Sequence, residues 1–179
     1  MDKFSTHNIH NAVILGGGHG IGLAIVRSLL SRVPSCRIFA TYRQENQASE
    51  LKSLVSKQLG SLTAHKVDPT DEDSIEKLVR EISCETGHLD IIINCVGFLH
   101  DSHRQPEKSL KEISVEGLIH SFKVNAVVTP IVAKLMKPLL RGEKISLFAS
   151  LSAKVGSIGD NRLGGWYGYR ASKAALNMF

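Results

Sequence analysis

The sequence predicts an α/β fold, a doubly wound parallel β-sheet flanked by helices. Two observations carry this. Short apolar runs of strand length alternate with longer segments whose apolar residues recur at helical spacing. The first of those runs ends in glycines that open directly into a helical segment.

Taken in order, residues 1–10 read as a loose polar tail, and the domain proper spans 11–179. "NAVILGG" is a buried strand ending in glycine. "IGLAIVRSLLSRV" is a helix with Ile21, Ala24, Ile25 and Leu29 at helical spacing, stopped by Pro34. "CRIFATYR" is the second strand, and "ENQASELKSLVSKQLG" a polar amphipathic helix closed by Gly60. "LTAHKVD" is the third strand. "DEDSIEKLVREISCETG" is a helix, with acids at its positive end. "LDIIINCVG" is almost uninterruptedly apolar, as a central parallel strand must be. Residues 100–114 are polar and loop-like. "VEGLIHSFKVNAVVTPIVAKLMKPLL" is a long helix expected to bend at Pro130. "KISLFAS" is the fifth strand, and a final helix begins near Trp166. No repeat or linker divides the chain, which reads as one domain.

Composition narrows the function. The 22 Lys and Arg residues give a net charge of +5 but are scattered, and aromatics are only 6%, which argues against a nucleic-acid surface. Three cysteines without a CxxC spacing argue against a disulfide framework or zinc site and suit a reducing compartment. No apolar leader and no run of 18 apolar residues is seen, so the chain is expected to be cytoplasmic and not to span a membrane. His100 and His103 lack a third ligand at supporting spacing, so no metal is expected.

The glycine cluster carries the first chemistry. Gly16-Gly17-Gly18-His19-Gly20-Ile21-Gly22 lies at the first strand-to-helix junction. There, glycines let the backbone approach a pyrophosphate, and the helix start offers free N–H groups. GxGxxG fits no register, and no Lys-Ser/Thr follows to make a P-loop. GxxxGxG fits, with Gly16, Gly20 and Gly22. Gly18, His19 and Ile21 complete the candidate cofactor contacts. The second strand ends Thr41-Tyr42-Arg43, with no carboxylate before Glu45 to hold a ribose hydroxyl. Arg43, helped by His19, suits a 2′-phosphate, so NADP (NADPH) is expected over NAD.

The glycine turn, Asp68 after the third strand, "NCVG" at 94–97, Asn125 and "YRASK" at 169–173 occur in order at matching places. Together they resemble the short-chain dehydrogenase/reductase family over nearly the whole chain. "GSIGDNRLGGWYGYRASKAALN" looks most like its C-factor and sniffer-type carbonyl reductases. A Tyr and Lys at i and i+4 share a helix face, and a nearby ammonium lowers a phenol's pKa towards useful acid–base range. Tyr169 has Lys173 at that spacing, whereas Tyr167 has Ala171, so Tyr169 is the candidate.

The resemblance implies further roles. Lys173 also bonds the nicotinamide ribose, and Ser152 holds the substrate oxygen, with Ser150 and Ser157 as alternatives. The family's second serine falls on Ala153. Asn125 would hold a relay water. Asp68 would touch adenine or else cap its turn, Asn94 would brace the sheet near cofactor, and Gly97 would let backbone lie against it. The implied strand order is 3-2-1-4-5, Rossmann-type, with the cofactor crevice between strands one and four. The implied reaction is hydride transfer between NADP(H) and a small carbonyl or alcohol, in a homodimer or homotetramer. Family members continue with further strands, so the nicotinamide side and substrate pocket are expected to be open here. Ala153 and this ending keep a second expectation alive, a dinucleotide-binding but inactive sensor or signalling protein.

Overall fold

Five short apolar runs become five parallel strands in a computed structural model, which describes residues 9–58, 60–140, 145–162 and 164–179. They are β1 (Asn11–Leu15), β2 (Arg37–Tyr42), β3 (Leu62–Lys66), β4 (Ile91–Asn94) and β5 (Leu147–Ser150). The order is β3-β2-β1-β4-β5, as the resemblance implied. The helices are α1 (Gly20–Arg32), α2 (Ser49–Lys57), α3 (Glu72–Glu85), α4 (Val115–Phe122), α5 (Val128–Met136) and α6 (Tyr167–Met178). The described residues fall into two compact units. One holds the residues up to Cys95 together with Ala133–Ser150, and the other holds Val96–Val132 and Leu151–Phe179.

The first unit contains the whole sheet. β1 is central, with Val13 in register with Phe39 on one side and Ile92 on the other. A strand covered on both faces must be apolar throughout, and Ala12 to Leu15 are all 0% exposed. Ala12, Ile14, Ile38 and Ala40 join Leu23 and Val26 of α1 and Leu51 of α2 in one core. Alternation sends Val13, Leu15, Phe39 and Ile92 to the opposite face. Fully burying each large aliphatic contributes about 1.5–3 kcal/mol, which lets strands of four to six residues hold.

Asp90, 4% exposed, fixes where β1 starts. Its Oδ2 accepts the N–H groups of His10 and Asn11 at 2.8 Å each. Residues 1–8 of the expected tail lie outside the described residues. Ile9 and His10 belong to the fold: Ile9 is 3% exposed, and the His10 carbonyl accepts the Arg37 N–H at 2.7 Å.

In the second unit α6 packs on α4 and on the helical turn that follows it. The expected long helix is broken, but not at Pro130. α4 gives way to a π-helical turn at Lys123–Val127 before α5 resumes. Proline lacks an N–H and its ring crowds the carbonyl four residues back, here that of Ala126. A wider turn just upstream removes that conflict, so Pro130 itself sits in regular helix. The stretch Val115–Leu140 is long and apolar enough to cross a membrane by length and composition, an 18-residue window of it having mean hydropathy 1.2. It is nevertheless interrupted, and it carries the buried polar residues Ser121 and Asn125.

Candidate functional site

The glycine turn lies in the first unit, at the C-terminal end of β1. The Gly16 N–H donates to Thr41 Oγ1 at 3.0 Å, which brings the turn against the end of β2. A Cβ on Gly22 would lie 2.1 Å from the Gly16 carbonyl oxygen, so the turn and α1 touch through bare backbone. Gly20 has φ +56° and open space around it. His19, Gly20 and Ile21 are exposed. The start of α1 has no side-chain cap and no acid in its first turn. Uncapped N–H groups at an open, positive helix end suit a pyrophosphate, so the residues present fit a dinucleotide.

The end of β2 bears on which dinucleotide. Arg43 is exposed and has no ion-pair partner among the described residues. The nearest following carboxylate, Glu45, is taken up elsewhere. It accepts from Tyr42 Oη at 3.2 Å, pairs with Lys52, and has Lys66 Nζ at 3.9 Å. The Lys52 hydrogen bond is the main cause holding Glu45 below its ordinary pKa. Asp68 Oδ1 accepts from the Thr70 N–H at 2.9 Å and its hydroxyl at 2.8 Å, the turn-capping role weighed for it. Asn94, 2% exposed, donates to Ser150 Oγ at 3.2 Å and so ties β4 to β5.

The second unit gathers the remaining candidates. Asn125 lies in the π turn, where the wider spacing presents its amide to three partners. Its Oδ1 accepts the Phe98 N–H at 2.7 Å, and its Nδ2 donates to the Phe98 carbonyl at 2.8 Å and Ser172 Oγ at 3.0 Å. Ser172 Oγ in turn donates to the Tyr169 carbonyl at 2.8 Å. Lys173, 3% exposed, donates from Nζ to the Leu151 carbonyl at 2.8 Å. A Cβ on Gly97 would meet Asn125 Oδ1 at 3.6 Å and Lys173 Nζ at 3.7 Å, which brings Gly97, Asn125 and Lys173 together.

Tyr169 is half-buried, with Lys173 Nζ 5.8 Å from its ring centroid. Burial pushes the Tyr169 phenol above its ordinary pKa and the Lys173 ammonium below its own. The downward pull on the phenol expected from the lysine does not dominate. Nζ lies over the ring and bonds a carbonyl, so desolvation outweighs it.

Ser152 is placed differently from the other three. Its hydroxyl donates to Asn177 Oδ1 at 2.5 Å, and Asn177 Nδ2 donates to the Gly156 carbonyl at 3.3 Å. Asn177 is two turns beyond Tyr169 on α6, about 12 Å along the axis. Ser150 bonds Asn94, and Ser157 Oγ accepts the Asp160 N–H at 3.3 Å. Sequence reasoning missed Ser172, Asn177 and Glu107. The first two carried a signal, since Ser172 is three residues from Tyr169 and Asn177 four from Lys173 on one helix.

A family model described as short chain dehydrogenase matches residues 10–179. The chain belongs to that family. It is 31% identical over 175 residues to the benzil reductase ((S)-benzoin forming) of Saccharomyces cerevisiae, covering 93% of this chain and 62% of that protein. It is 29% identical over 165 residues to an uncharacterized oxidoreductase of Schizosaccharomyces pombe, with coverage of 92% and 62%. This short-chain dehydrogenase chain therefore spans somewhat less than two thirds of those relatives. Among solved structures, the carbonyl reductase Sniffer of D. melanogaster matches with TM-score 0.84 and 28% identity, over 96% of this chain and 72% of that one. The NADPH-bound carbonyl reductase from chicken fatty liver also matches at TM-score 0.84, with 25% identity and coverage of 95% and 68%.

Proposed function

We propose that this protein is an NADP(H)-dependent, cytoplasmic oxidoreductase that interconverts a small carbonyl compound and its alcohol. The observation that carries the reading is the chain of bonds from Asn125 through Ser172 to the Tyr169 main chain, with Asn125 Oδ1 and Lys173 Nζ both close beside Gly97. When bound, the nicotinamide supplies or takes up the hydride. The residues of the chain do the rest. The start of α1 holds the pyrophosphate and Arg43 the 2′-phosphate. Tyr169 donates a proton to the carbonyl oxygen in reduction and takes one back in oxidation. Burial holds its phenol above the ordinary value, so it enters reduction carrying the proton that it gives. Lys173, with its lowered pKa, is the donor that reprotonates the phenolate, and Asn125 braces the helix turn against the Phe98 backbone.

Tyr169→Phe should abolish NADPH-dependent reduction across a panel of small carbonyls while leaving NADPH binding intact. Retained turnover would sink the assignment. A second reading, a dinucleotide-binding protein without turnover, is favoured by Ala153 and by the Ser152 hydroxyl being committed to Asn177. NADPH binding by the unmodified protein with no turnover on that panel would select it.

A further inference from the structure

Glu107 is a loop acid that the proposed chemistry does not use, yet it is only 9% exposed. Acids are seldom so buried without a partner. Glu107 forms no ion pair with Lys, Arg or His among the described residues. What holds it is the start of α6. Its Oε2 and Oε1 accept the Gly168 N–H at 3.3 and 3.4 Å, and its main-chain carbonyl accepts the Trp166 N–H at 2.5 Å.

Three further facts turn these bonds into a clamp. α6 has no acid in its own first turn and no side-chain cap, so Glu107 supplies what the helix sequence lacks. The packing leaves room for nothing else. A Cβ on Gly165 would lie 3.1 Å from the Glu107 carbonyl oxygen, and one on Gly168 would lie 3.0 Å from Glu107 Oε1 and 3.1 Å from Ser121 Oγ of α4. The segment it grips is strained. Gly164, Gly165 and Trp166 all have positive φ, at 67°, 61° and 49°, and a left-handed tryptophan persists only where its surroundings impose it. Trp166 then meets the Tyr169 ring edge-on, with centroids 6.2 Å apart.

We propose that Glu107 is a positioning residue for Tyr169. By holding Trp166 and Gly168 at once, it sets where the first turn of α6 begins and so where the phenol stands. This rests on the reading of Tyr169 as the proton-transfer group, and the test separates the two. Trp166 is the one tryptophan in these 179 residues, so its fluorescence reports the clamp without any turnover.

Glu107→Ala keeps the main-chain bond to Trp166 but frees the Gly168 N–H; as the first turn loosens, Trp166, already 40% exposed, should red-shift in emission and be quenched more strongly by acrylamide. The substitution should lower kcat about tenfold or more while KM moves less than about twofold, as misplacement of a reacting group does. Glu107→Gln keeps an acceptor of the same length, and should restore both the quenching and most of kcat. A spectrum unchanged by Glu107→Ala, or a Gln variant as impaired as Ala, overturns the clamp. If Glu107→Ala does not fold, Gly168→Ala decides, because a methyl 3.0 Å from Oε1 pushes the carboxylate off the Gly168 N–H; an unchanged kcat there overturns it too. Turnover surviving Tyr169→Phe would instead sink the catalytic reading and leave the Trp166 signal standing.

Discussion

Replacing Gly22 by alanine tests the architecture of the glycine turn directly. The new Cβ would sit 2.1 Å from the Gly16 carbonyl oxygen, 2.8 Å from its carbon and 3.1 Å from Gly17 Cα. Ordinary contact begins near 3.4 Å, so the shortest approach is about 1.3 Å too close. All three atoms are backbone, and no side chain can swing aside. Either α1 moves off the sheet, uncovering Leu23 and Val26, or the turn breaks its bond to Thr41 Oγ1. The cost of such overpacking is roughly 3 kcal/mol. With a urea m-value of about 2 kcal/mol/M, the unfolding midpoint should fall by about 1.5 M. Gly20→Ala is the control. Its Cβ meets nothing within 4 Å, so only the φ of +56° is strained, at about 1 kcal/mol or about 0.5 M. Equal midpoints for Gly22→Ala and the unmodified protein, or a larger loss in Gly20→Ala, would refute this reasoning.

Other outcomes follow from single contacts. Arg43→Ala should weaken NADPH binding by about tenfold to a hundredfold with little effect on NADH, read by titration calorimetry, because one charge-assisted pair is lost. Asn125→Ala should cost about 2–4 kcal/mol of stability in chemical denaturation, since it strands the Phe98 N–H and carbonyl, and it should also slow turnover. Of the three thiols in this sequence, Cys84 is exposed, whereas burial pushes Cys95 to about 11 and Cys36 to about 12. An aromatic disulfide reagent at pH 8 should therefore label one thiol quickly and the other two only on unfolding. Tyr169 has its folded pKa raised by burial, so the folded state holds its proton longer than the unfolded state. Stability should decline as pH rises past the ordinary tyrosine value near 10, and Tyr169→Phe should remove that part of the decline.

Why some of this was legible beforehand is a matter of range. β4 could be read from Ile91–Ile93 because a strand covered on both faces calls for apolar residues in succession. The Tyr169–Lys173 spacing was visible because a helix fixes which residues share a face. Both signals are local. The π turn was invisible because it answers a conflict between Pro130 and the helix upstream, and composition alone shows only the proline. Glu107 was invisible for a related reason. A loop acid is normally solvated, and what makes this one different is the helix start sixty residues away in sequence. The Ser152 hydroxyl was likewise aimed by Asn177, a partner whose reach cannot be read from the strand end.

The π turn also bears on how this helix can change over time. Five residues there complete a turn that an α-helix completes in fewer, which amounts to one residue inserted between α4 and α5. Deleting any of Lys123–Val127 would restore regular winding. Because the wider coil absorbs the extra residue within itself, the helices on either side would keep their facing, and Val132, 0% exposed, would stay buried. What would go is the offset that presents the Asn125 amide to Phe98 and Ser172. The extra residue therefore behaves as a self-contained insertion: it can come or go without disturbing the helices around it, and only Asn125's bonds record that it is there.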